Sequence, residues 1–193
     1  MARTKEFDPD AALRAALDLF WERGYEATSM ADLVERLGVA RASIYATFGN
    51  KHDLYLKALD RYGDLVDPIL LRDLSQPGPA LPAVRALVER YACEAGDDGG
   101  RRGCFIVNTA VEVAPHDRQA ARRVAASWDY LETAMTSALI RAQAQGELAP
   151  GRDPRALARL LLVLMQGIRV VGKVSADPRR LRDAAAQALS LLD

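Results

Sequence analysis

Residues 28–54, TSMADLVERLGVARASIYATFGNKHDL, contain two short helical patterns separated by a glycine. The apolar stripe of the first pattern consists of Met30, Leu33, Val34 and Leu37. Gly38 ends this helix, because glycine lets the chain reverse without a steric penalty. The second pattern begins at Arg41 and turns Ile44 and Phe48 inward. Two helices joined by such a short turn predict a helix-turn-helix, whose second helix enters the DNA major groove.

The free side of the second helix is predicted to carry the DNA contacts. Arg41 can pair with guanine O6 and N7 or with a phosphate, and the Ala42 methyl suits a thymine methyl. The residues expected to contact phosphates are Ser43, Tyr45, Thr47 and Lys51. Thr28 and Ser29 are expected to offer free backbone amides to an anion. Residues 36–52 contain cations and no acid, which supports a local basic face on a chain of zero net charge.

Helix signals recur along the rest of the chain, and no strand alternation appears. Asp-Pro pairs at 8–9, 153–154 and 177–178 are typical of an N-cap followed by proline at the first helical position. The sequence therefore predicts an all-α protein of about nine helices. We expect a three-helix DNA-binding head over residues 1–50 and a regulatory and dimerisation body over residues 51–193.

Composition excludes several classes of protein. The two cysteines, Cys93 and Cys104, and two histidines have no metal-ligand spacing, and no catalytic arrangement or cofactor turn is present. We therefore expect no metal, no cofactor and no enzyme, although an enzyme or carrier that uses Cys104 as nucleophile is the alternative class. Zero net charge argues against a nonspecific nucleoid binder. The longest dense apolar run, residues 160–165, is too short for a membrane span, and residues 1–7 have no secretory signal pattern, so we expect a soluble, cytoplasmic protein.

Residues 8–59 resemble the DNA-binding domain of the TetR family of repressors. The resemblance is carried by Phe20, Gly24, Thr28-Ser29-Met30, Leu37-Gly38-Val39 and Ile44-Tyr45-x-x-Phe48-x-Asn50-Lys51-x-x-Leu54. It implies base-reading positions at residues 41–43 and backbone-contacting positions at Tyr45 and Lys51. It also implies a homodimer, formed by the seventh and eighth or the eighth and ninth helices, that leaves a palindromic operator when a small molecule binds. The sequence departs from a frequent pattern of the family at Ala46-Thr47, and residues 102–110 resemble a segment of a subset of such regulators.

The body is predicted to bind an unknown small-molecule effector. The candidate ligand-binding residues are Tyr62, Val66, Tyr91, Cys104, Asn108, Trp128, Met135 and Arg169. Large aromatic side chains at helical spacing line a pocket or fill the core, and both readings are open for Tyr91 and Trp128. Asn108 and Arg169 occur in otherwise apolar helices, so each needs a partner, either a ligand or another side chain.

Two further sets of residues are expected to act in assembly and regulation. The candidate dimerisation residues are Leu131, Ala138, Leu161 and Leu164, on helices with the spacing of a bundle seam. Cys104 follows a glycine and two arginines at a helix start, a setting that favours thiolate, and Lys173 adds to it if the body brings them together. Release of DNA by oxidation or electrophilic modification of Cys104 is therefore the alternative to ligand binding, and Cys93 is the candidate resolving thiol. Otherwise Cys104 is a buried, inert side chain.

Overall fold

The computed structural model describes residues 7–96, 102–174 and 177–193. These parts of the chain form nine α-helices and no strand, which confirms the all-α prediction. The helices are α1 Pro9–Arg23, α2 Met30–Leu37, α3 Arg41–Phe48, α4 Lys51–Leu74, α5 Ala80–Gly96, α6 Phe105–Glu112, α7 Arg118–Ala144, α8 Pro154–Gly172 and α9 Pro178–Leu189, followed by a 3₁₀ turn at Ser190–Leu192. The predictions made on residues 1–6 and 97–101 lie outside the described residues.

Local signals explain where the helices of the head begin and end. α2 begins with a capping box, in which Ser29 and Asp32 each bind the other's backbone amide. Gly38 ends α2 in the left-handed region at φ 62°, as the sequence predicts. Asn50 and Asp53 form a second capping box at the start of α4. No side chain caps α3, whose first turn follows Ala40.

The long helix α4 connects the head to the body. It continues through Pro68 to Leu74. Proline inside a helix removes one backbone hydrogen bond, so packing on neighbouring helices must stabilise this segment. Leu70 and Leu74 provide that packing, since both are buried in the core of the body.

Two hydrophobic cores lie along α4. The head core contains side chains of α1–α3 and of the first half of α4, together with Phe105, Ile106 and Val113 from around α6 and two residues from the start of α7. The body core joins the end of α4 to α5, α7, α8 and α9. The domain division at residues 50 and 51 stays a prediction, and hydrophobic packing does not follow it, because α6 packs with the head.

Candidate DNA-binding face and body cavity

The second helix of the motif, α3, presents a polar and basic face to solvent. Arg41, Ala42 and Tyr45 are exposed, Ser43 and Thr47 are half-buried, and Ile44 is fully buried against the head core. The Arg41 guanidinium donates a hydrogen bond of 3.3 Å to the Tyr45 hydroxyl and lies 5.6 Å from the centre of that ring. This contact joins a predicted base-reading side chain to a predicted phosphate-contacting one on a single surface.

Lys51 lies at the first position of α4, next to the end of α3. Its ammonium nitrogen is 4.2 Å from the centre of the Tyr25 ring, a cation–π contact that orients the charge while leaving it half-exposed. The charge lies at a helix start beside the motif, and its contact with a DNA phosphate stays a prediction.

The prediction that residues 28 and 29 offer free backbone amides is wrong. Thr28 is fully buried, its hydroxyl donates to the Gly24 carbonyl at 2.6 Å, and its amide donates to the Tyr25 carbonyl at 3.3 Å. The Ser29 amide donates to the Asp32 carboxylate at 2.8 Å. Because the capping box and the preceding turn use both amides, neither is available to an anion; only the exposed Ser29 side chain lies near the surface.

A cavity of about 540 Å³ lies in the body, directly under the head. Of the predicted ligand-binding residues, the structure brings six together in its wall: Tyr62, Val66, Tyr91, Cys104, Trp128 and Arg169. Sequence reasoning missed Trp21, Asp67, Arg90 and Glu94, which also line it. Trp21 belongs to the apolar stripe of α1, so nothing in the sequence pattern distinguished a cavity wall from head core.

Two of the predicted ligand-binding residues do not line the cavity. Met135 is fully buried in the body core, where it packs between helices. Asn108 is bound to residues outside the wall: its amide donates to the Arg102 carbonyl at 3.1 Å, and its oxygen accepts from Lys173 at 2.9 Å. The partners that Asn108 needed are therefore groups of the protein itself.

Arg169 is held in the cavity wall by an acid and an aromatic ring. Its guanidinium donates to the Glu94 carboxylate at 2.7 Å and lies 4.2 Å from the centre of the Tyr91 ring. Burial by itself lowers the pKa of Arg169, but the Glu94 hydrogen bond and nearby charges raise it overall, so the side chain stays charged. Burial raises the pKa of Tyr91 to about 12, which keeps that phenol neutral.

Cys104 lies in the cavity wall as the residue before α6. Its sulfur accepts a hydrogen bond of 3.5 Å from the Tyr62 hydroxyl. The cations expected to favour a thiolate bind elsewhere: Arg102 pairs with Asp18 at 2.8 Å, and Lys173, which does approach α6, donates to Asn108. Arg101 lies outside the described residues. Cys93 is exposed.

The far end of α6 binds the helix-turn-helix. The Glu112 carboxylate accepts hydrogen bonds from the backbone amides of Tyr25 at 3.1 Å and Glu26 at 2.9 Å, in the turn between α1 and α2. Gly24 leaves room for this carboxylate, since a Cβ there, at φ 88°, would lie 2.8 Å from it. Just beyond α6, Asp117 contacts His52 at the start of α4. The turn that orients α2 and α3 is therefore attached to α6.

The middle and the near end of α6 are attached to the head as well. The Tyr55 hydroxyl on α4 is hydrogen-bonded to the Thr109 hydroxyl at 2.8 Å, and both groups are buried. The Trp21 indole N–H on α1 donates to the Gly103 carbonyl at 3.1 Å, next to the cavity. One short helix thus contacts both the cavity and the DNA-binding motif.

The predicted dimerisation residues are placed differently from the expectation. Leu131, Ala138 and Leu161 are buried in the protomer's own core, so these three assignments are wrong; Leu164 is half-buried against that core. Periodicity alone could not tell a seam between helices of one chain from a seam between two chains. The outer face of α8 and the residues just after it instead expose Leu160, Val163, Gly167, Val170 and Val174, spaced by three and four.

The described ranges contain neither a candidate metal cluster nor a helix suited to span a membrane. No group of three or more histidine, cysteine, aspartate or glutamate side chains there could hold a metal ion. None of the helices in those ranges combines the length and the apolar character that crossing a membrane requires.

A helix-turn-helix head joined to an all-helical body that contains a partly open cavity defines a DNA-binding regulator of the helix-turn-helix class. Residues 12–58 match the family model described as bacterial regulatory proteins, tetR family. Residues 80–188 match the tetracyclin repressor-like C-terminal domain. The chain belongs to the TetR family and is a transcriptional regulator, as the sequence resemblance implies.

Sequence similarity to other transcriptional regulators extends over nearly the whole chain. It is 38% identical over 194 residues to the uncharacterized HTH-type transcriptional regulator YezE of Bacillus subtilis, covering 100% of both chains. It is 34% identical to the HTH-type transcriptional repressor ComR of Escherichia coli, covering 98% of this chain and 90% of that one. Among solved structures, a cysteine mutant of the TetR family regulator CifR in complex with 26-bp operator DNA is 28% identical, with a TM-score of 0.87 and full coverage of both chains.

Proposed function

We propose that this regulator is a homodimeric repressor that binds a palindromic operator and leaves it when a small molecule fills the 540 Å³ cavity. The observation that carries the proposal is the position of α6. One end contributes Cys104 and Ile106 to the cavity region, and the other holds the turn of the DNA-binding motif through Glu112. A protein of this kind acts where the DNA is, in the bacterial cytoplasm.

The exposed face of α3 supports the proposed mode of DNA binding. Arg41 reads a base pair, Ala42 contacts a thymine methyl, and Ser43, Tyr45, Thr47 and Lys51 bind phosphates. The neighbouring regulator bound to operator DNA has the same fold, and the repressor of E. coli is similar over nearly the whole chain. Both comparisons support operator DNA as the partner of the α3 face.

The exposed row on and just after α8 supports a dimer with a second copy of the chain. Val163 is 69% exposed and Val170 47%, although both are apolar. Residues at such three-and-four spacing form the seam between packed helices, and a two-fold axis there pairs α8 with its copy. Two-fold symmetry matches a palindromic operator, whose half-sites lie about 34–36 Å apart.

The cavity and the head share enough contacts for a ligand to change the spacing of the two reading helices. Trp21 of α1 and Tyr62 and Val66 of α4 lie in the cavity wall and also pack with the head core. A ligand that prefers one position of these helices shifts the dimer towards that position. DNA binding is lost when the two copies of α3 no longer fit successive major grooves.

Ligand release is favoured over the two cysteine alternatives. The Cys104 sulfur has no cation bound to it among the described residues, because Arg102 and Lys173 are bound to Asp18 and Asn108. A nucleophilic enzyme needs a base beside the thiol, and the hydroxyl of Tyr62, whose pKa burial raises well above its ordinary value, is a poor one. Together with the regulators among the relatives, this supports a protein that is not an enzyme.

Selection of bound DNA from a random pool tests the DNA-binding part of the proposal. We expect a palindrome. Arg41→Ala should cost about 1–3 kcal/mol at one base position of each half-site. Lys51→Ala should weaken binding to all sequences equally and reduce the salt slope by about 1. Arg182→Ala on α9, an exposed arginine outside the head, is the matched control and should change neither. Unchanged binding in both head variants would contradict the assignment of α3 as the reading helix.

Native mass measurement tests the dimer. Val163→Glu should give monomers with a large loss of operator affinity, while Val111→Glu, at an equally exposed valine on α6 (72%), should stay dimeric. A wild-type mass of one chain at micromolar concentration would overturn the proposed dimer. Ligand release is then tested by screening small molecules for dissociation of the selected operator.

A further inference from the structure

We infer that Tyr25 is a positioning residue for DNA binding: its ring holds the Lys51 ammonium in place for a phosphate, and its backbone attaches that cation to α6. The inference rests on the proposed function, because it specifies how one of the proposed phosphate contacts is made and how α6 reaches it. Tyr25 lies in the turn between α1 and α2, and Lys51 is the first residue of α4.

The Lys51 ammonium is held by a ring and not by an acid. It lies 4.2 Å from the centre of the Tyr25 ring, and within the described ranges it forms no ion pair and no hydrogen bond. The face of an aromatic ring attracts a cation without neutralising its charge or occupying its three N–H donors. Lys57, also on α4, differs, because its ammonium donates to the Phe48 carbonyl at 2.9 Å. Lys51 therefore keeps its full charge and all its donors for an anion such as a DNA phosphate.

The Tyr25 ring is itself packed in place. Its centre lies 4.8 Å from that of the buried Tyr55 ring and 6.3 Å from that of Phe20. Burial, and after it the charge of Glu26, raises the pKa of Tyr25, so the phenol is neutral and Lys51 contacts a ring face. A free lysine samples many rotamers, and ordering it costs free energy on binding. A packed ring reduces that cost, because the ammonium is already ordered before DNA binds.

Both the backbone and the ring of Tyr25 are connected to α6. The Tyr25 amide donates to the Glu112 carboxylate at 3.1 Å, at the end of α6. The ring packs on Tyr55, whose hydroxyl is hydrogen-bonded to that of Thr109 in the middle of the same helix at 2.8 Å. A movement of α6 carries the Tyr25 backbone with it and moves the ring relative to Lys51. The movement that changes the spacing of the two copies of α3 therefore also weakens the phosphate contact of Lys51.

A series of ring analogues at position 25 of the full-length protein tests the inference. Tyr25→Phe, Tyr25→4-fluorophenylalanine and Tyr25→3,4,5-trifluorophenylalanine have nearly the same shape, while each fluorine withdraws negative charge from the ring face. Affinity is measured for the best duplex recovered from the random pool. We expect Tyr25→Phe to bind within about twofold of the wild type. The trifluoro variant should bind about 5- to 30-fold more weakly, because each of the two copies of Lys51 loses about two- to fivefold.

The same series in the Lys51→Ala background is the control. We expect all affinities there to agree within about twofold, because the charge of the ring face has no cation to act on. A loss of equal size in both backgrounds would overturn the inference, since Tyr25 would then act through the packing of the head. Thermal melting of each variant, followed by circular dichroism, checks that the head stays folded.

A second cycle tests the attachment of Lys51 to α6. Glu112→Ala should lose less operator affinity in the Lys51→Ala background than in the wild type, by at least about twofold, because part of its effect requires the cation. Equal losses in the two backgrounds would show that Glu112 orients α2 without moving Lys51, and would overturn the attachment.

The proposed function fails by a different result. If Lys51→Ala binds DNA as tightly as the wild type, with the same salt dependence, Lys51 contacts no phosphate, and the proposed contact and the inference are both wrong. If Lys51→Ala weakens binding but the fluorinated rings do not, the phosphate contact stands and positioning by Tyr25 is wrong.

Discussion

The two ends of α6 differ in what they contact. At the head end, Glu112 accepts from two backbone amides, and in the middle Thr109 is hydrogen-bonded to Tyr55. At the cavity end, Gly103 and Cys104 accept hydrogen bonds from Trp21 and Tyr62, and they also border the open space of the cavity. The head end moves with the head, whereas the free energy of the cavity end changes once a ligand occupies the space beside it. A change at the cavity end of α6 is therefore expected to be transmitted to the DNA-binding motif at its other end.

The largest effect is expected from removing the ring that packs α6 onto α4. Phe105 is 1% exposed, and its ring lies 5.3 Å from that of Tyr55 and 5.8 Å from that of Tyr62. Phe105→Ala should lower the free energy of unfolding by about 3–5 kcal/mol, measured by urea denaturation. Val111→Ala, on the exposed side of the same helix, should change it by less than about 0.5 kcal/mol. A similar loss in both variants would contradict the packing of α6 with the head.

Removing the carboxylate at the head end should have the next largest effect. Glu112→Ala leaves the amides of Tyr25 and Glu26 without their charged acceptor and should cost about 1–3 kcal/mol of stability. The variant should also bind operator more weakly, because the turn before α2 loses its attachment. Glu112→Gln keeps an acceptor oxygen and should recover part of both losses. Both operator affinity and the urea midpoint should be measured. If neither changes in Glu112→Ala, Glu112 does not attach α6 to the turn before α2.

The buried hydroxyl pair allows a finer comparison within α6. Tyr55→Phe leaves Thr109 with its 2.8 Å bond to the Phe105 carbonyl, so the cost should be about 1 kcal/mol. Thr109→Val should cost more, since it leaves the buried Tyr55 hydroxyl without its partner. Urea denaturation of the two variants measures this, and the midpoint of Thr109→Val should be the lower one. The reverse order would mean that the Tyr55 hydroxyl finds another partner.

The smallest effect concerns pH at the head end. The Ala120 amide, and after it the His52 contact, hold the pKa of Asp117 below its ordinary value of about 3.9, although burial acts in the opposite direction. The stabilisation is complete above the unfolded-state pKa and is lost as the pH falls through the lower folded-state pKa. Melting temperatures of the wild type and Asp117→Asn should therefore differ most near neutral pH and converge below about pH 4. A constant difference down to pH 3 would show that the Asp117 charge contributes nothing.

The DNA-binding motif could be predicted from the sequence because its signals are local. The capping residue Ser29, the left-handed Gly38 and the apolar spacing from Met30 to Phe48 act within a few residues of one another. The exposure of Arg41 and Tyr45 follows once Ile44 is turned inward. Local signals also predicted the helices of the described ranges, because caps and turn residues act close to each helix end. The free amides at Thr28 and Ser29 were predicted wrongly because the capping box uses one of them and the preceding turn the other.

Contacts between distant residues decided the rest. A stripe of apolar side chains indicates that one face of a helix is buried, but it does not identify what covers that face. From the sequence alone, Leu131, Ala138 and Leu161 therefore fit a protomer core and a dimer interface equally well. For the same reason the sequence could not distinguish Trp128, which lines the cavity, from Met135, which is buried in the body core two turns further along α7. Glu112 carried no sequence signal at all, since its partners are backbone amides 86 and 87 residues away. The sequence by itself determined a helical DNA-binding regulator, because helix periods and turn residues are local properties. Only the tertiary structure decided where its cavity lies and how α6 connects that cavity to the head, because both depend on which faces meet.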